Sequence, residues 1–64
     1  MSWIRHNNSL FNLDMAESVT KYTNRSIRID YLSKDAHILD FKDEEERDEA
    51  FKVIISRMDP LKEI

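Results

Sequence analysis

The sequence contains no cysteine and no glycine, and its one proline is Pro60. Without cysteine the chain can form neither a disulfide framework nor a thiolate metal site, so two of the usual ways of stabilising a small fold are excluded. Without glycine it lacks the loops that cradle phosphates and the tight elbow that carries a hydrolase nucleophile. Turns that need a positive φ must use asparagine or another residue.

Long apolar runs are also missing. No stretch approaches the ~20 apolar residues of a membrane span, and no signal peptide opens the sequence, so we expect a cytoplasmic protein with no membrane partner. A chain of 64 residues has room for a single core, so we expect one domain, residues 1–64. A composition of 41% hydrophobic and 36% charged residues is typical of a folded domain rather than a disordered one.

The end of the sequence predicts one helix over residues 43–58. Asp43 is a favourable N-cap, and Glu46 stands three residues later, as in a capping box. Glu44 and Glu45 join Glu46 in the first turn, where the helix dipole stabilises carboxylates. Pro60 is expected to end the helix. The predicted apolar stripe comprises Ala50, Phe51, Ile54, Ile55 and Met58, and the predicted charged back comprises Arg47, Asp48, Lys52 and Arg57.

Four earlier segments predict strands. Residues 2–6 and 9–13 flank Asn7-Asn8, and asparagine is the residue other than glycine that best tolerates a hairpin turn. Residues 26–32 alternate between apolar and polar side chains, which predicts a strand with one buried face. Residues 36–41 are predicted to form the next strand, after a polar loop at 33–35. The expected inner face holds Ile27, Ile29, Tyr31, Leu39 and Phe41, and the expected outer face holds Ser26, Arg28, Asp30, Ile38 and Asp40.

Residues 14–23 are ambiguous between helix and strand. Asp14 and Glu17 could cap a helix, with Val19 on its apolar side. The β-branched residues near the end of the segment favour a strand, and a helix of about ten residues would be marginal by itself. We predict a strand from about 17 to 23, followed by a turn at Asn24-Arg25. A register slip of one residue would exchange its two faces.

These elements predict an α+β fold. We expect an antiparallel meander of four to five strands, with the C-terminal helix (about 43–58) packed on one face. The other face would be left uncovered. Trp3, Tyr22 and Ile38 are the residues that we predict to bind a partner there, and a homodimer through this face or a strand edge is the expected assembly.

The order of segments resembles a group of small uncharacterised single-domain proteins from bacteria and phages, in which an antiparallel β-meander precedes a C-terminal helix. The similar features are Trp3-Ile4, Phe11-Asn12-Leu13-Asp14, an alternating strand, Ile38-Leu39-Asp40-Phe41 and an acidic helix that carries Phe51. The resemblance spans roughly residues 3–58 and rests on packing and turn residues. It implies a strand at 17–23 and a bacterial or phage origin, and it implies no activity.

The sequence does not predict catalytic chemistry. His6 and His37 are far apart in sequence and have no metal-binding spacing. The carboxylates at 44–46 and 48–49 lie in an exposed run, where their pKa values have little cause to separate into acid and base roles. We therefore expect a protein that is not an enzyme, with no catalytic residues, no cofactor and no metal.

Three functions are compatible with these observations. The first is a small protein-binding module, acting as a homo-oligomer or as an adaptor or inhibitor of a larger protein. The second is binding of single-stranded nucleic acid, although the net charge of −3 opposes it. The third is a phage-encoded inhibitor that presents its acidic helix start to a basic site. Residues 1–28 carry a net charge of +2, and the basic residues of the nucleic-acid hypothesis are Arg5, Lys21, Arg25 and Arg28.

Overall fold

The computed structural model describes residues 2–58 together with Leu61 and Ile64. These residues form an α+β fold, as the sequence predicts. The elements are β1 (Trp3–His6), β2 (Ser9–Asn12), a 3-10 turn (Leu13–Met15), β3 (Ala16–Thr23), β4 (Ser26–Tyr31), β5 (Ala36–Asp40) and α1 (Glu44–Arg57). The predicted stop at Pro60 lies outside the described residues. Among those residues, no helix combines the length and the apolar character needed to cross a membrane.

The strands form two antiparallel sheets rather than one meander. β3, β4 and β5 make a three-stranded meander in that order, and β1 and β2 make a separate hairpin. The break lies at the 3-10 turn, where the Asn12 side chain accepts a hydrogen bond of 2.9 Å from the Asp14 amide. Such local side-chain bonds compete with sheet pairing. The turn therefore redirects the chain after β2, and Asp14 caps no helix.

Two turns fall where the sequence predicts them. Asn7 has a φ of 55° in the hairpin that pairs His6 with Ser9. The predicted turn at Asn24-Arg25 joins β3 to β4. Lys34, in the loop before β5, has a φ of 77°, which is costly for a residue with a Cβ. Within the described residues, this chain without glycine thus places an asparagine and a lysine at positive φ.

The core lies between the three-stranded sheet and two elements that share its inner face, the hairpin and α1. The central strand β4 supplies Ile27 and Ile29, both fully buried, which confirms the predicted alternation. Leu39 of β5, Leu13 of the 3-10 turn and Ile54 of α1 complete the buried cluster. Ser26 was expected to face solvent, but it is buried, and its hydroxyl lies 2.6 Å from that of Thr23.

Helix α1 begins as predicted, with Asp43 accepting a hydrogen bond of 2.8 Å from the Glu46 amide. Ile54 is the residue of the apolar stripe that is buried, and Phe51 and Met58 are half-buried beside it. The prediction for Ile55 was wrong, because this side chain is 42% exposed. It lies at the margin of the stripe, on the side of α1 that carries Asp48 and Lys52.

The prediction for Arg47 was also wrong, since this residue is buried rather than part of a charged back. It precedes Ala50, Phe51 and Ile54 by three, four and seven positions, so helical periodicity places it on the apolar stripe. Its Nη1 donates to the Thr23 carbonyl at 2.6 Å, and its Nε donates to Asp48 at 2.8 Å. Arg47 thereby fastens the start of α1 to the end of β3.

Candidate functional site

The face of the three-stranded sheet that is turned away from α1 and the hairpin is the first candidate surface. We call it the outer face. Strand register sets Thr20, Arg28 and Ile38 side by side across β3, β4 and β5. Tyr22 and Ile38 are 54% and 43% exposed. The surface comprises Ser18, Thr20, Tyr22, Arg28, Asp30, Ile38 and the exposed Asp40.

Polar contacts hold the centre of the outer face in place. Arg28 contacts the Asp30 carboxylate through Nε and Nη2, each at 3.0 Å, and the Ser18 hydroxyl donates to the same carboxylate at 3.2 Å. The hydrogen bond to Asp30 raises the pKa of Arg28, so the guanidinium keeps its charge. The Arg28 guanidinium also lies 5.7 Å from the centre of the Tyr22 ring. The outer face therefore presents an ordered ion pair between two exposed apolar side chains.

Trp3 does not belong to the outer face. It lines a groove of about 550 Å³ together with Tyr31 and His37, which belong to the inner side of the sheet. The three residues predicted to form one partner surface thus lie on two, with Tyr22 and Ile38 on the outer face and Trp3 across the sheet from them. The sequence could not separate them, because the position of the hairpin depends on the 3-10 turn.

The groove that contains Trp3 is the second candidate surface, and we call it the aromatic groove. It runs between β2 and the loop that joins β4 to β5. The His37 ring lies between those of Phe11 and Tyr31, with centroid distances of 5.5 and 5.6 Å and edge-on geometry. Burial raises the pKa of Tyr31 above its ordinary value. The lining consists of Trp3, Ser9, Leu10, Phe11, Asn12, Met15, Tyr31, Ser33, Asp35 and His37.

A smaller apolar pocket of about 200 Å³ lies between the hairpin and α1. His6 stands at its edge, where Nε2 donates to the Asp40 carbonyl at 2.9 Å and the ring lies 4.6 Å from that of Phe41. This hydrogen bond joins the hairpin to β5. His6 and His37 are therefore both engaged in packing. Within the described part of the chain, no three histidine or acidic side chains are grouped so that they could hold a metal ion.

The four basic residues of the nucleic-acid hypothesis do not form one surface. Lys21 lies on the inner side of β3, where it pairs with Asp48 at 3.2 Å and stands 5.2 Å from the centre of the Phe51 ring. Arg28 lies on the opposite face and is neutralised by Asp30. Arg25 is exposed in the β3–β4 turn, and Arg5 lies on the hairpin beside the small apolar pocket.

A network of charged groups at the start of α1 was not predicted from the sequence. The Lys21 ammonium and the Arg47 guanidinium converge on the Asp48 carboxylate at 3.2 and 2.8 Å. The hydrogen bond from Lys21, reinforced by Arg47, lowers the pKa of Asp48. The position of Arg47 on the apolar stripe was the signal that could have revealed this network. Its contacts are those of a structural clamp, and the nearby carboxylates Glu44, Glu45 and Glu46 stay exposed.

The geometry thus offers two surfaces suited to binding, and no arrangement of described side chains that resembles a nucleophile with its base. Comparison of this chain with protein-family models, with curated proteins and with solved structures found no match.

Proposed function

We propose that this protein is a non-enzymatic protein-binding module that pairs with a second copy of itself through the outer face. The observation that supports the proposal is the exposure of Tyr22 and Ile38 on the one sheet face that neither α1 nor the hairpin covers. Both are large apolar side chains, and covering them removes apolar area from water.

Charge complementarity favours a second copy over an unrelated partner. The outer face carries one positive and two negative charges: Arg28 and Asp30 are paired on β4, and the exposed Asp40 lies on the same side of β5. In a two-fold symmetric pair the same patch is used twice, so Arg28 of one copy can approach Asp30 of the other. A strongly acidic partner would find no excess of positive charge on this face.

The size of the face sets the expected strength. Three strands spaced at about 4.8 Å, each presenting about 20 Å of length, cover on the order of 300 Å². A standard stable interface buries roughly 800 Å² on each partner. We therefore expect a reversible dimer that dissociates in the micromolar range, rather than an obligate one.

Binding of single-stranded nucleic acid is a weaker proposal for the same face. Tyr22 could stack on a base, and Arg28 could contact a phosphate. Arg28 is already paired with the Asp30 carboxylate, and the whole chain carries a net charge of −3. Both features weaken the binding of a polyanion such as nucleic acid.

The test is the molar mass in solution across a dilution series, measured by light scattering or sedimentation. We expect mass above that of the 7.7 kDa chain at high concentration and loss of the dimer in Ile38→Asp. Leu32→Asp is the matched control, because Leu32 is similarly exposed, at 54%, but lies in the β4–β5 loop. A single species at the mass of one chain at every concentration would refute the homodimer and leave the outer face as a surface for a different protein.

A further inference from the structure

The aromatic groove exposes more apolar surface than the outer face does. Leu10, Met15 and Trp3 are 66%, 52% and 46% exposed there. An apolar concave surface with a polar rim is typical of a partner or ligand site. The groove lies across the sheet from the outer face, so its function is separate from the proposed self-association.

Backbone contacts fix the walls of the groove before any partner arrives. The Leu32 amide donates to the Met15 carbonyl at 3.0 Å and so joins the 3-10 turn to the end of β4. The Leu13 amide donates to the Ser2 carbonyl at 2.7 Å and holds the start of β1 against the same turn. Trp3, Met15 and Tyr31 therefore stand on anchored backbone. Because the groove is preformed, little free energy is lost in ordering its side chains and backbone when a partner binds.

The polar groups of the groove include several hydrogen-bond donors. Trp3 contributes an indole N–H, and the Tyr31 hydroxyl is protonated at neutral pH, since its pKa lies above the ordinary value of 10.0. The Asn12 carboxamide uses its oxygen to accept from the Asp14 amide, which leaves its NH₂ group to donate. A polyproline II segment makes no internal hydrogen bonds, so its carbonyls need donors of this kind.

The charge of the groove is negative. Among the described lining residues, Asp35 is the one with a full charge. The Ser33 hydroxyl donates to its Oδ2 at 3.1 Å, which orients the carboxylate and leaves Oδ1 for a ligand. A lysine or arginine beside an apolar segment would meet Asp35 while its neighbours cover the aromatic rings.

We propose that the aromatic groove binds a proline-rich peptide segment of another protein, with a basic residue next to the prolines. Aromatic-lined grooves are the general solution for polyproline II recognition, because the stiff segment loses little entropy and offers flat apolar faces. A second copy of this chain does not supply such a segment, since its one proline is Pro60.

Trp3 provides the assay, because it is the one tryptophan in the sequence. The probe is a synthetic peptide with two Pro-x-x-Pro units and one flanking arginine, titrated while the Trp3 emission is recorded. We expect a saturable blue shift. Asp35→Asn should weaken binding about three- to fivefold, the effect of losing one exposed ion pair. Leu10→Asp, at a highly exposed position, should weaken it about tenfold or more without unfolding the protein, and far-UV circular dichroism checks the fold.

Glu45→Gln is the matched control, because it removes one carboxylate from the exposed start of α1, away from the groove, and should leave the affinity unchanged. A peptide with alanine in place of each proline should bind much more weakly. The proposal is overturned if the alanine peptide binds equally well, if Asp35→Asn has no effect, or if the proline peptide causes no shift. A Trp3 emission that changes on dilution of the protein alone would also overturn it, since a second copy would then occupy the groove.

Discussion

Replacement of Arg47 by alanine should destabilise this protein far more than removal of any exposed charge. The Arg47 side chain is 10% exposed and follows the apolar stripe of α1 into the contact with the sheet. Its Nη1 is bonded to the Thr23 carbonyl at 2.6 Å, and its Nε to Asp48 at 2.8 Å. Alanine would leave the Thr23 carbonyl without its charged donor and would remove the packing of the aliphatic stem.

The expected loss is about 3 kcal/mol. A hydrogen bond from a charged donor to a partly buried carbonyl contributes about 1.5–2 kcal/mol, and the buried methylenes contribute about 1 kcal/mol. The bond to Asp48 adds little, since Asp48 is partly exposed and keeps Lys21 as a partner. For a domain of this size the midpoint of thermal unfolding should fall by roughly 10–20 °C.

Thermal unfolding followed by circular dichroism measures this effect, and Lys52→Ala is the control. Lys52 pairs with Glu49 at 3.5 Å, and both side chains are mostly exposed. The control should shift the midpoint by no more than about 3 °C, because an exposed i,i+3 pair contributes less than ~0.5 kcal/mol. If Arg47→Ala melts as the control does, Arg47 is not the clamp that its contacts suggest.

Three further predictions concern the core, the acid response and nucleic acid. Ile54→Ala should lower the free energy of unfolding by about 2–5 kcal/mol, and by more than Phe51→Ala does, since Ile54 is 2% exposed and Phe51 is half-buried. Chemical denaturation of the two variants measures both losses, and a larger loss for Phe51→Ala would contradict the prediction. The lowered pKa of Asp48 stabilises the fold above the ordinary value of 3.8, and this contribution is lost as the pH falls through the lowered pKa. Asp48→Asn should therefore lose less stability than the wild type between about pH 5 and pH 2, and equal losses would count against the Lys21 contact. Single-stranded DNA should show no salt-sensitive micromolar retention; retention that disappears in Arg25→Glu/Arg28→Glu would favour the nucleic-acid function.

Part of the candidate site could be read from the sequence. The alternation in β4 placed Arg28 on the outer face, and the position of Ile38 beside the inward-facing Leu39 placed it there too. Tyr22 joined them because residues 16–23 form a strand, as predicted for 17–23. The aromatic groove could not be read in this way, because its lining comes from both sheets and from the loop between β4 and β5.

The sequence by itself determined the features that depend on neighbours along the chain. Helix α1 follows from the Asp43 cap and the spacing of apolar residues, β4 from its period of two, and the first turn from Asn7. Each of these signals is complete within a few residues, since backbone hydrogen bonds, capping and side-chain direction act over that range.

The tertiary structure alone decided how the elements are arranged. It separated the hairpin from the meander, joined Arg47 to β3, exposed Ile55, and divided Trp3 from Tyr22. A periodic pattern states which side of a strand or helix is apolar, but it does not state which element covers that side or how far the cover extends. That choice depends on contacts between residues distant in sequence, such as the bond from Arg47 to the Thr23 carbonyl, 24 positions away. Only the packed chain brings such groups together.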